Sequence, residues 1–92
     1  MKNELRGEAA YYDTQAKRAY WVAGYAPREI SGIIENAQAF ADFLGIDVNA
    51  IRYEEIQRSM RFKYMALFEV DYPTCPPGFT ECTNALHERI YA

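Results

Sequence analysis

The spacing of hydrophobic positions changes along the chain, and the changes mark its elements. Residues 8–13 (Glu-Ala-Ala-Tyr-Tyr-Asp) and 18–25 (Arg-Ala-Tyr-Trp-Val-Ala-Gly-Tyr) are rich in side chains that favour strands. The polar stretch 14–17 between them suits a short hairpin loop. In the second strand Tyr20 and Val22 fall on one face and Trp21 and Ala23 on the other. One face is expected to pack on the core and the other to form a sticky exposed patch. From residue 30 the period becomes helical: Ile30, Ile33, Ile34, Ala37, Phe40, Ala41 and Leu44 recur at three- and four-residue steps, with Glu35, Gln38 and Asp42 opposite. Pro27 suits a first helical turn, Glu29 complements the helix dipole, and Ser31 offers an alternative N-cap. Gly45 is a natural stop, and Asp47 is placed to cap one short turn in the connector 46–50.

Residues 51–58 and 61–71 read as two further strands, the second by the alternation of Phe62, Tyr64, Ala66, Phe68 and Val70. The joint Arg58-Ser59-Met60-Arg61 fits a two-residue turn poorly, which favours a longer loop. Three prolines and a glycine between Tyr72 and Gly78 exclude a central strand there. Thr80 then reads as an N-cap with Glu81 in the first turn, opening a helix to about Tyr91 whose apolar stripe is Cys82, Ala85, Leu86 and Ile90. The order is ββαββα. It predicts one α+β domain over residues 1–92, a four-stranded antiparallel sheet with two helices packed mainly on one face, and helix 30–44 over the sheet centre.

Composition narrows the classes. Of the 92 residues, 50% are hydrophobic and 15% aromatic, which excludes disorder. The apolar runs are too short to span a membrane, and the first residues show no secretory h-region, so an intracellular, cytoplasmic location is expected. Cys75 and Cys82 are seven residues apart and His87 is the one histidine. A zinc set of Cys75, Cys82, His87 and Glu81 or Glu88 matches no familiar spacing, so ordinary thiols and no metal or cofactor are expected. Glu54 and Glu55 point to opposite faces of a strand and cannot share a site, and the glycines are scattered, so no catalytic residue is expected. A chain of this size has little room for a deep cleft, and binding through an outer face is the expected mode of action.

Three surfaces are candidates. Pairing the last two strands with Arg58 opposite Arg61 puts Ile56 opposite Lys63, Glu54 opposite Met65 and Arg52 opposite Leu67. Arg52, Arg58, Arg61 and Lys63 then share one face, and the apolar face with Tyr53, Ala66 and Phe68 meets the helix. Four clustered cations beside aromatics suit a nucleic-acid backbone. The competing reading is a strand face kept soluble by charge. A net charge of −3, from 10 basic and 13 acidic residues, argues against a general nucleic-acid binder but allows a local patch. The second surface is the polar side of the first helix, where Glu35, Asn36 and Asp42 suit lysines on a partner protein. The third is the hairpin with Tyr11, Tyr12, Tyr20, Trp21 and Tyr25, residue types that anchor interfaces, with Trp21 foremost. An exposed edge of this hairpin would also serve to pair with a second copy.

The hairpin Ala-Tyr-Tyr-Asp-Thr-Gln-Ala-Lys-Arg-Ala-Tyr-Trp, the helix Ile-Ile-Glu-Asn-Ala-Gln-Ala-Phe-Ala-Asp-Phe-Leu-Gly and the basic stretch Ile-Arg-Tyr-Glu-Glu-Ile-Gln-Arg-Ser-Met-Arg-Phe-Lys-Tyr follow one another in a short acidic chain. In length and character, rather than by a motif, the whole chain resembles the small phage-encoded anti-CRISPR proteins that block type I-F surveillance complexes. The resemblance implies a non-enzymatic inhibitor that binds a crRNA-guided Cas complex and prevents target DNA from hybridising. No family motif carries residues over, and within that mechanism surface chemistry sets Arg52, Arg58, Arg61 and Lys63 against crRNA phosphates and Glu35, Asn36 and Asp42 against lysines of Cas subunits. The alternatives are a small interaction or regulatory module, dimeric through its hairpin, and a small nucleic-acid-binding protein acting alone.

Overall fold

A computed structural model describes residues 5, 7, 9–24, 30–56 and 65–91. Its elements are β1 (Ala9–Asp13), β2 (Arg18–Gly24), α1 (Ile30–Leu44), a 3-10 turn (Val48–Ala50), β3 (Arg52–Ile56), β4 (Met65–Asp71), β5 (Thr80–Cys82) and a C-terminal helical turn (Leu86–Ile90). The strands form one sheet in the order β3-β4-β2-β1-β5. β1–β2, β2–β4 and β3–β4 pair antiparallel, whereas β1 and β5 run parallel. The fold is α+β, with a mixed five-stranded sheet in place of the expected four antiparallel strands.

The extra strand comes from residues read as the start of a helix. Thr80, Glu81 and Cys82 lie extended beside Tyr11, Tyr12 and Asp13, and Thr14 N–H donates to the Cys82 carbonyl at 2.9 Å. Asn84 has φ +53°, a left-handed break that separates the strand from the helical turn. The turn is wide, closed by Tyr91 N–H on the Leu86 carbonyl five residues back. Its leading N–H, from Ala85, is received by Asp13 at 3.0 Å and not by Thr80. A side chain 72 residues away does the capping, which local spacing could not reveal.

β2 and β4 sit centrally and are apolar on both faces, so both faces need cover. On one face Trp21, Ala23, Ala66, Phe68 and Val70 pack with Ile33, Phe40 and Leu44 of α1. On the other, Tyr20, Val22, Met65 and Leu67 pack with Ala85 and Ile90 of the C-terminal turn. The two helical elements thus lie on opposite faces, not mainly on one, and the hairpin leaves no exposed aromatic patch on β2. Trp21 is 2% exposed, with ring centroids 5.5 Å from Phe40 and 5.4 Å from Phe68. It is a core residue with no surface to present to a partner, contrary to the expected anchoring role. The alternation of β2 sends it under α1 because β4 offers Phe68 directly opposite.

The ends of α1 are fixed by local chemistry. Gly45, at φ +72°, lets Gly45 N–H reach the Asp42 carbonyl and Ile46 N–H the Ala41 carbonyl, the paired C-terminal bonds of a glycine stop. Asp47 receives Asn49 N–H at 2.9 Å and caps the following turn as expected. The suggested helix start at Pro27 and Glu29 lies outside the described residues. Two tyrosines tie the layers together: Tyr12 donates to the Tyr72 carbonyl at 2.7 Å, and Tyr72 donates to the Leu44 carbonyl at 3.1 Å.

Asp13 is the buried polar centre, at 6% exposure. Its Oδ1 accepts from Gln15 and Ala16 N–H in the hairpin loop, and its Oδ2 from Ala85. Burial alone would raise its pKa. The bonds from Ala16, Ala85 and Gln15, with the charge of Arg18, outweigh burial and hold the carboxyl below its ordinary value.

Two stability measurements follow from this packing. Phe40→Ala, at a fully buried position against Trp21 and Phe79, is expected to cost about 3–5 kcal/mol in denaturant unfolding. Asp13→Asn is expected to cost about 2 kcal/mol at neutral pH, because its amide turns a donor toward one of the N–H groups. The folded pKa lies below the ordinary 3.8, so this contribution is complete above that value and is lost as pH falls through the folded one. Unfolding curves at a series of acidic pH values should therefore converge for the two proteins, and a constant gap would contradict the assignment.

Candidate interaction surfaces

The outward side of α1 is set by what the inward side buries. Ile33, Phe40, Ala41 and Leu44 face the sheet, leaving Glu35, Gln38 and Asp42 in solvent. Gln38 donates to Asp42 Oδ1 at 2.8 Å, one helical turn apart, which orders this polar row. Ile34, assigned from its spacing to the buried stripe, is 65% exposed. It lies about 100° around the helix from Ile33, at the margin of the stripe nearest Gln38. Sequence reasoning missed it because two adjacent isoleucines look equally apolar, and only the tilt of the helix decides which one is covered. Asn36 is not part of the outward row in function. Its Nδ2 donates to the Gly24 carbonyl at 3.1 Å and tethers α1 to the end of β2.

The second surface lies on the opposite face of the sheet, beside the C-terminal turn. Strand register places Arg18 opposite Asp71 and Arg52 opposite Glu69. The expected β3–β4 pairing, with Arg52 opposite Leu67, is displaced by two residues. An even displacement keeps every side chain on its face, so the face assignment survives although the register does not. Arg18 Nε meets Asp71 Oδ1 at 2.9 Å, and Arg18 also lies 3.8 Å from Glu69. Arg52 lies 3.5 Å from Asp71 and 3.8 Å from Glu69. The Arg18 bond holds the Asp71 carboxyl below its ordinary value. Two guanidinium groups and two carboxylates cancel formally, so Arg52 belongs to a neutral cluster and a phosphate would compete with Glu69 and Asp71 for it. Arg58, Arg61 and Lys63, the other members of the expected basic face, lie outside the described residues.

Tyr91 borders this cluster and donates to Glu54 Oε1 at 2.8 Å. Its phenol is pushed up to about 12, first by desolvation and then by the bond to Glu54 and its charge. Tyr20 beneath is also raised, mainly by burial, with its bond to Arg18 acting in the opposite direction. Neither phenol is poised for proton transfer near neutrality. Burial likewise pushes both thiols up, Cys75 in the loop and Cys82 on β5. Such groups stay protonated and are weak nucleophiles. Among the described residues, no three of His, Cys, Asp and Glu are gathered as metal ligands.

A recess of about 330 Å³ opens between the N-terminal segment and the sheet, lined by Leu5, Gly7, Ala10, Trp21, Gly78 and Thr80 among others. Trp21 Nε1 is buried there without a hydrogen-bond partner. Gly7 lies so close to the indole that a Cβ would collide with Nε1 and the Val22 carbonyl. The hairpin does not supply the open edge expected for self-pairing, since β5 pairs with β1 along Tyr11–Asp13. Among the described residues the edge strands are β3 and β5. Among the described residues no helix is long and apolar enough to cross a membrane.

No protein-family profile and no solved structure matches the chain. It is similar to clotting factor C of Tachypleus tridentatus, with 34% identity over 80 residues. The match covers 82% of this chain but 8% of that protein, so the chain spans a small part of its relative's length.

Replacing Tyr91 by Phe should remove the phenol that titrates near 12. Ultraviolet phenolate titration of the two proteins measures this. The hydrogen bond to Glu54 stabilises the fold below the ordinary tyrosine pKa and is lost as pH rises through the shifted one, so the two proteins should lose their stability difference in strong alkali. Loss of a step at the ordinary tyrosine value would place the shift elsewhere.

Proposed function

We propose that this chain is a non-enzymatic inhibitor that binds a crRNA-guided Cas surveillance complex of type I-F and blocks target DNA hybridisation. The supporting observation is the outward face of α1: Ile34, a large apolar group in solvent, beside the ordered polar row of Glu35, Gln38 and Asp42. An apolar anchor flanked by carboxylates suits a lysine-bearing protein surface, where the charges steer association and the anchor supplies contact area. Nucleic-acid-binding proteins of this type present channels rich in basic residues near the path of target DNA, and an acidic helix is complementary to them.

Within this reading any crRNA contact falls chiefly to Arg58, Arg61 and Lys63, because Arg52 is engaged by Glu69 and Asp71. Asn36 acts as a positioning residue for α1, and Ile34 takes the anchoring role first given to Trp21. The same outward face suits a second reading, an interaction module whose partner is another protein. Clotting activity itself belongs to a chain of which this match covers 8%.

The test is a pull-down of the tagged protein from cells carrying a type I-F system, with and without nuclease. Recovery of the intact Cas complex is expected, and Ile34→Asp or the pair Glu35→Lys and Asp42→Lys should reduce it by about tenfold or more. Undiminished recovery by these variants would remove α1 from the interface. Recovery of the bait alone would reject the inhibitor reading and favour the interaction module.

A further inference from the structure

We propose that β3 is a self-pairing edge, through which two copies of this chain join their sheets around Tyr53. β3 ends the sheet, with β4 on one side and no strand on the other among the described residues. An edge of this kind carries unpaired backbone donors and acceptors and templates a further strand. Tyr53 projects from it at 56% exposure, a large aromatic with its ring centroid 6.1 Å from Phe68.

The sequence of the strand selects the partner. Two identical edge strands that continue one sheet antiparallel are related by a two-fold axis normal to the sheet, so one residue must face its own copy. Centring on Arg52 would oppose two arginines, and centring on Glu54 or Glu55 would oppose two carboxylates. Centring on Ile56 would carry half the pairing past the strand's end. Centring on Tyr53 opposes two tyrosines and sets Arg52 against Glu54 of the second copy, twice. Arg52 and Glu54 share one face of the strand, and opposite residues of an antiparallel pair share a face as well, so both charge pairs form. Like charges are avoided in this register alone among those centred within Arg52–Glu55. The strand is its own electrostatic complement about Tyr53, which is the condition for a two-fold interface.

The geometry permits this without rearranging the core. Arg52 is held by carboxylates at 3.5 and 3.8 Å and is half-exposed. Glu54 takes one hydrogen bond from Tyr91 on Oε1, and a carboxylate has capacity for more. Five residues give a small interface, so self-association is weak and concentration-dependent. The inference is independent of the Cas-complex reading, which uses α1, and its test involves no other protein.

Sedimentation equilibrium of the full chain over micromolar to millimolar concentrations should give a monomer–dimer equilibrium. Arg52→Glu and Glu54→Arg should each weaken it by about tenfold, by turning two attractions into repulsions. Mixing these two variants should restore association, because each supplies the charges the other lacks. The recovery also rules out misfolding as the cause of the loss. Tyr53→Cys should oxidise to a 53–53 cross-linked dimer identified by peptide mapping, since opposed Cα atoms lie about 4.5–5.5 Å apart, within disulfide reach. A wild-type monomer throughout the range would overturn the proposal. So would a dimer indifferent to the charge reversals, or one that forms no 53–53 link.

Discussion

The Asp13 carboxylate ties together two parts of the chain that lie some seventy residues apart, the hairpin loop and the C-terminal turn, where strand pairing and packing bring them side by side. Two of its bonds close the hairpin loop and the third orders the C-terminal turn. The turn in turn covers Tyr20, Val22, Met65 and Leu67, the face of the sheet that α1 leaves open. Without it that face would present a contiguous apolar surface, which water penalises and which invites aggregation. The carboxylate stays ionised in a buried position because three backbone donors replace its hydration.

The division of the sheet into two covered faces explains why the surfaces available for recognition are peripheral. The aromatic wealth of β1 and β2 is absorbed by packing and by the Tyr12–Tyr72–Leu44 relay. Among the described residues, what remains outside is the helix face around Ile34, the β3 edge around Tyr53 and the rim around Tyr91. The chain is acidic overall, yet its described arginines on the sheet are neutralised where they stand. The described surface therefore offers a few exposed apolar groups in a polar setting, the arrangement common at small protein interfaces.

Elements governed by neighbours in sequence were legible from the residues. The hairpin, its loop, the body of α1, its Gly45 stop and the Asp47 turn all follow from local periodicity and capping chemistry. The faces of β3 and β4 were legible as well, since alternation survives a two-residue displacement. Elements governed by distant partners were not. Thr80 looks like a helix cap until Asp13 takes the donor it would serve, and Thr-Glu-Cys then extends beside β1. The doubly apolar pattern of β2 is that of a strand buried on both faces, but with both helices expected on one side the second face read as an exposed patch. Of the candidate site, Glu35 and Asp42 stand where spacing put them. Trp21 is core and Asn36 is structural. Arg52 is neutralised by partners that the assumed register had placed elsewhere.

The parallel pairing of β1 with β5 has a mechanical consequence. Among the described residues, the first strand and the last lie side by side and point the same way. Tension applied between the two ends would pull them past each other rather than peel them apart, once the C-terminal turn had let go. The backbone bonds between them would then share the load and have to yield together, as stitches in a lap seam do. A protein with these strands antiparallel would unzip one bond at a time under the same pull. Three residue pairs and one aspartate therefore form a clasp between the first and last described strands that is loaded in shear when they are drawn apart.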